Sequence, residues 1–114
     1  MEMHQIRYFL ALCQELNFTR AARRCDVAQP SLTNAVKRLE RGLGAALFER
    51  GQNSTRLTEF GRLLRPHFEM LDQCAKKARR DAQRFLDRAR AKRRPARARR
   101  TGASNSRSGQ RASC

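Results

Sequence analysis

Thr19-Arg20-Ala21-Ala22-Arg23-Arg24-Cys25-Asp26-Val27-Ala28-Gln29-Pro30-Ser31-Leu32-Thr33-Asn34-Ala35-Val36-Lys37-Arg38-Leu39-Glu40-Arg41-Gly42-Leu43-Gly44 carries the pattern of two short helices. Leu32, Val36, Leu39 and Leu43 recur at i, i+4, i+7 and i+11, which predicts a helix with one buried stripe. Gln29-Pro30-Ser31 opens it, because proline suits a first helical turn whose N–H groups are unbonded anyway. Gly42 and Gly44 close it. Thr33, Asn34, Lys37 and Arg41 fall on other faces and carry donors and charge. Upstream, Ala21, Ala22 and Cys25 are small enough for close helix packing, with Thr19 as the expected N-cap of a short helix. Asp26-Val27-Ala28 then makes a tight connection. Two helices joined by a short turn, the second with a polar outer face, form a helix-turn-helix.

Before this pair, Ile6, Phe9, Leu10, Cys13 and Leu16 make one stripe of a first helix over about 3–16. After the helix-turn-helix, Leu47-Phe48-Glu49-Arg50 and Thr55-Arg56-Leu57 flank the turn Gly51-Gln52-Asn53-Ser54, which predicts a small hairpin. Thr58 is the expected N-cap of a fourth helix running to about 87. Along it Leu64, Phe68, Leu71, Ala75, Ala78, Ala82 and Phe85 are spaced 4, 3, 4, 3, 4 and 3, a heptad seam. Pro66 lies inside and is expected to kink the helix or disturb its first turns. The seam reads as a dimer surface, with packing onto the helix's own domain as the alternative. The expected fold is mainly α: a winged helix-turn-helix with a small β-hairpin wing, followed by a long linker or dimerisation helix. Its parts are residues 1–58, 59–87 and a basic, disordered tail over 88–114.

Charge sets the tail apart. The 114 residues carry a formal charge of +16, and residues 88–114 hold 10 Lys and Arg with no acid. That segment has no aliphatic residue larger than Ala and no aromatic, so burial cannot offset its ordering entropy. Excess positive charge favours polyanions, with nucleic acid first. No run approaches a membrane span, and Met1-Glu2-Met3-His4-Gln5 lacks the pattern of a secretory signal. A cytoplasmic, nucleoid-associated protein is expected. Cys13, Cys25, Cys74 and Cys114 are too dispersed, and too far from His4 and His67, for a zinc site. The first three read as small apolar residues and Cys114 as a free terminal thiol, in a reducing compartment. Neither a metal nor a cofactor is expected. An enzyme would need a nucleophile with its base, or clustered carboxylates, and the chain supplies neither pattern.

Phe18-Thr19-x-Ala21-Ala22, Val27-x-Gln29-Pro30-Ser31-Leu32-Thr33, Leu39-Glu40-x-x-Leu43-Gly44-x-x-Leu47-Phe48-x-Arg50 and Leu57-Thr58-x-x-Gly61 together resemble the LysR-type bacterial transcriptional regulators, over residues 3 to about 87. The resemblance implies a DNA-binding domain followed by the family's dimerising linker helix. Ala28 stands where the family usually has Ser, and Phe60 where a small residue is usual. The family's ligand-sensing domain would follow residue 87; the chain has a basic stretch there, so a truncated regulator without a small-molecule inducer is expected. Residues 88–114 read as an aberrant, out-of-frame ending or, in the competing reading, as a real tail that adds DNA affinity.

The third helix is expected to enter the major groove of double-stranded DNA by its N-terminal half. Gln29, Ser31, Thr33 and Asn34 are candidates for base edges or phosphates, and Pro30 for a thymine methyl. Lys37 and Arg38 suit phosphates; Arg50 and Arg56 flank the wing turn; Thr19 and Arg20 suit phosphate clamping. Glu40 reads as a structural ion-pair or capping residue. The resemblance implies contact roles for Gln29, Pro30, Ser31, Thr33, Asn34 and Arg50. A homodimer would present two such helices to an interrupted inverted repeat. The alternatives are a non-specific basic nucleic-acid-binding protein and an inactive gene fragment. The aromatic stacking surface of a single-strand or RNA binder is missing, since Tyr8 is the only tyrosine and the phenylalanines lie mostly on helix seams.

Overall fold

A computed structural model describes residues 1–52 and 54–92. Asn53, Cys114 and the rest of the expected tail from residue 93 onward lie outside the described residues. The chain runs α1 (Met3–Glu15), α2 (Phe18–Arg24), α3 (Gln29–Leu43), β1 (Phe48–Arg50), β2 (Thr55–Leu57) and α4 (Glu59–Lys92). It divides into two units, Met1–Asp72 and a second from Gln73 onward.

The first unit closes around Phe9, whose ring meets Phe48 at 5.4 Å and Phe68 edge-on at 5.1 Å. Around it lie Ile6 and Leu12 of α1, Ala21 and Ala22 of α2, Leu32, Val36 and Leu39 of α3, and Leu47. Removing a fully buried Phe, Leu, Ile or Val side chain from water contributes about 1.5–3 kcal/mol each. The helix-turn-helix therefore rests on a core shared by α1, the hairpin and the first turns of α4.

Local chemistry sets the boundaries. Gln5 Oε1 accepts the Glu2 N–H at 3.0 Å while the Glu2 carboxylate accepts the Gln5 N–H, so α1 begins with a capping box. It ends at Glu15, and Leu16 takes a left-handed cap conformation (φ 51) with 44% exposure. Leu16 thus leaves the predicted stripe, and Leu12, fully buried, takes its place. The N-cap of α2 is Asn17, not Thr19: its Oδ1 accepts the Arg20 N–H at 2.8 Å. Asparagine outranks threonine at this position, and the earlier start makes Phe18 the first helical residue. Ala28 precedes α3 without a side-chain cap bond, and Gly44 closes it at φ 102, a conformation that glycine adopts without penalty.

The hairpin is antiparallel, pairing Phe48 with Leu57, Glu49 with Arg56 and Arg50 with Thr55. The Glu40 carboxylate, on α3, accepts the backbone N–H groups of Leu47 at 2.7 Å and Phe48 at 3.2 Å. Thr58 caps α4 by accepting the Gly61 N–H at 3.0 Å, and its hydroxyl donates to the Ala46 carbonyl at 2.8 Å. A Cβ on Gly61 would lie 2.5 Å from the Leu47 carbonyl oxygen and 2.6 Å from Leu57 Cδ1. Only glycine lets the chain pass so close.

Two expectations for the fourth helix change. α4 runs from Glu59 to Lys92 with Pro66 inside it. Phe68 is 3% exposed and Leu64 packs on the same core, so both serve the domain rather than a free seam. The helix also continues past 87 through Arg88-Ala89-Arg90-Ala91-Lys92. Ala, Arg and Lys are strong helix formers, and extending a formed helix avoids the cost of nucleation. Cys13 and Cys25 are buried as expected, whereas Cys74 is exposed on α4. Among the described residues no helix is long and apolar enough to cross a membrane.

Candidate nucleic-acid interface

Burial divides α3 lengthwise. Leu32, Ala35, Val36 and Leu39 turn inward. Gln29, Pro30, Ser31, Asn34, Lys37 and Arg38 are exposed and Thr33 is half-buried. Pro30, Asn34, Lys37 and Arg41 follow one another at i, i+4, i+7 and i+11, so they form an outward row opposite the buried stripe. Arg41 was not among the candidate contact residues; its spacing from Pro30 was the signal that could have found it. Gln29 Nε2 donates to Thr33 Oγ1 at 3.2 Å, which pairs the two side chains at the start of the helix.

A second group gathers at the base of the wing. The Arg50 guanidinium lies 4.4 Å from the centre of the Phe18 ring. The ring face attracts the cation and fixes its direction while leaving it exposed. Thr19 follows Phe18 and is exposed. Arg20 is engaged elsewhere: its Nε lies 3.4 Å from Glu15 Oε1, and Arg24 takes Glu15 Oε2 at 3.0 Å. The Arg20 amide, moreover, is already bonded to Asn17, so one donor expected to clamp an anion is spent on the cap. Arg56 faces Glu49 across the hairpin at 3.9 Å, a loose and exposed pair. Glu40 is occupied by its two backbone bonds and is a structural residue.

The expected seam separates by exposure. Leu64 and Phe68 pack inward, while Leu71, Ala78, Ala82 and Phe85 are exposed and Ala75 is half-buried. Cys13 is shut into the core beneath this domain. Burial pushes its thiol up to about 12 from 9.0, against a smaller opposing effect of Arg65, so the sulfur stays protonated and unreactive at neutral pH. Among the described residues no three His, Cys, Asp or Glu side chains gather as a metal site would need.

Residues 3–62, just over half of the chain, match the bacterial regulatory helix-turn-helix proteins of the lysR family. The chain belongs to the LysR family. Its fold is the winged helix-turn-helix expected of that family, and its relatives are transcriptional regulators. A probable cat1 operon transcriptional activator of Acinetobacter lwoffii is 44% identical over 63 residues, which are 55% of this chain and 21% of that protein. The LysR-family chain thus spans about a fifth of that relative's length. A full-length OxyR variant from Pseudomonas aeruginosa superposes with a TM-score of 0.70 at 40% identity, over 73% of this chain and 28% of that one. A BenM DNA-binding domain in complex with catB site 1 DNA superposes with a TM-score of 0.71 at 31% identity. That match covers 75% of this LysR-family chain and 96% of the BenM chain.

Proposed function

We propose that this LysR-family chain binds double-stranded DNA sequence-specifically, as a regulator of transcription and not as a catalyst. The outward side of α3 reads bases through Gln29, Ser31, Thr33 and Asn34, with Pro30 against a thymine methyl. Lys37, Arg38 and Arg41 hold phosphates further along the helix, and Arg50 and Arg56 hold backbone at the wing. Thr19 is a lesser phosphate contact, and Arg20 contributes charge while tied to Glu15. The observation that carries this reading is the exposed row Pro30, Asn34, Lys37 and Arg41 on a helix whose opposite side is buried. A short, firmly seated helix with a polar, cationic outer side is what a major groove accepts. The BenM relative, solved with DNA, supports the same partner.

Two copies would join through Leu71, Ala75, Ala78, Ala82 and Phe85, whose alanines permit close approach of a second helix. Two recognition helices then fit an interrupted inverted repeat. The test is selection of genomic fragments by the full chain, with excess competitor and a salt series. Enrichment of one interrupted inverted repeat is the expected result. Asn34→Ala should relax preference at one base position, at a cost of about 1–3 kcal/mol there, whereas Lys37→Ala should weaken all sequences alike. Equal losses for both variants on every sequence would refute the division into readers and positioners.

A further inference from the structure

From Gln73 to Lys92 the chain has eight basic and two acidic residues. Every side chain there except Ala75 is exposed. Ala75, Ala78, Ala82 and Phe85 occupy one side of this helical segment. On another side Lys77, Arg80, Arg84 and Arg88 follow at spacings of 3, 4 and 4 residues, with Arg88 one turn from Phe85. At the helical rise, a cation recurs about every 4.5–6 Å along that side. The acids offset little of it. Arg84 reaches Asp81 only at 4.0 Å, and Asp87 is shared between Arg90 at 3.6 Å and the Gln83 amide at 2.9 Å. Lys77, Arg80 and Arg88 make no ion pair among the described residues. Like charges one turn apart repel along a helix, so this row has a countercharge deficit that the segment's own acids do not meet.

We infer that the row Lys77, Arg80, Arg84 and Arg88 is a second DNA-binding surface, sequence-independent and directed at phosphates. A regularly spaced line of cations with no enclosing cavity suits a polymer with regularly spaced charge. An anionic membrane is the other surface that attracts a basic amphipathic helix, but membrane insertion needs large apolar residues on the opposite side. From Gln73 to Lys92 only Phe85 and Leu86 are large and apolar, and Ala75, Ala78 and Ala82 share their side, too little for insertion. That narrow side suits a second helix, and its occupation leaves the cationic row facing outward.

The test is a Lys77→Gln, Arg80→Gln, Arg88→Gln variant of the full chain. Glutamine is a good helix former, so far-UV circular dichroism should be unchanged. Binding is followed against the enriched repeat and against an unrelated duplex of equal length, over a salt series. Three lost phosphate contacts should weaken both duplexes by the same factor and reduce the salt slope by about 2–3. Unchanged affinity and slope, or a loss confined to the enriched repeat, would overturn the inference. So would undiminished DNA binding by a variant that has lost binding to phosphatidylserine vesicles. The earlier reading fails separately: if the wild-type chain shows no sequence preference and the variant still lowers the slope on both duplexes, the base-reading helix is wrong and this surface stands.

Discussion

Phe68 and Phe85 lie on the same heptad seam of the same helix, yet one is 3% exposed and the other 65%. Phe68 meets Phe9 in the first unit; Phe85, in the second, has no cover among the described residues. The spacing that joins them is real in both cases, because both belong to one continuous helix. Periodicity says which side chains share a side of a helix. It does not say what covers that side, and within one seam the answer changes at about Leu71.

The sharpest way to break this contrast is a pair of truncations. Phe68→Ala should destabilise the folded chain by about 3–5 kcal/mol, since it empties the centre of the core. Phe85→Ala should leave unfolding of a dilute chain within about 0.5 kcal/mol while weakening self-association in sedimentation. Equal losses of stability would mean that the two phenylalanines share one environment. Next in size is Glu40→Ala, which strands the Leu47 and Phe48 amides and should cost about 1–3 kcal/mol in urea unfolding. A smaller effect separates the two candidate caps: Asn17→Ala should cost about 1 kcal/mol. Thr19→Ala, on the other hand, should stay within about 0.5 kcal/mol as a surface change.

The cysteines give the mildest test, silent at neutral pH. Cys13 is protonated when folded up to about 12 but ionises near 9.0 when unfolded. Above pH 9 the unfolded chain therefore binds fewer protons than the folded one, and stability falls as pH rises. Cys13→Ala should show a shallower decline of melting temperature between pH 9 and 11 than the wild type. In a Cys114→Ser background, Cys74 should react with a thiol reagent at once, and Cys13 and Cys25 only on unfolding. Fast reaction at all three sites would remove the distinction between the two units.

Where the sequence was legible, a residue type left its structure little choice. Pro30 suited a first turn, Gly44 a helix end and Thr58 an N-cap ahead of a long helix; all three took those places. The exposed row of α3 followed from the buried stripe opposite it. The misreadings arose where neighbours competed or where a distant element intervened. Asn17 and Thr19 are both good caps two residues apart, and only the chain's path selects between them. Leu16 kept the apolar spacing but fell just beyond the last helical residue. Cysteine's small apolar character predicts burial for Cys74, yet it is exposed on α4. The placement of Arg50 over Phe18, 32 positions away in sequence, depends on how the hairpin meets α2, which no local pattern encodes.

One carboxylate has a mechanical meaning. Gly44, Ala45 and Ala46 form a short, exposed connection that could flex, but Glu40 reaches past it to hold the first residues after it. α3 and the hairpin are riveted together on either side of that hinge. The two bonds tie the start of the hairpin to α3, so the gap between helix and wing works as a calliper set at folding. A longer or shorter connection at 44–46 would alter the calliper only if Glu40 first let go.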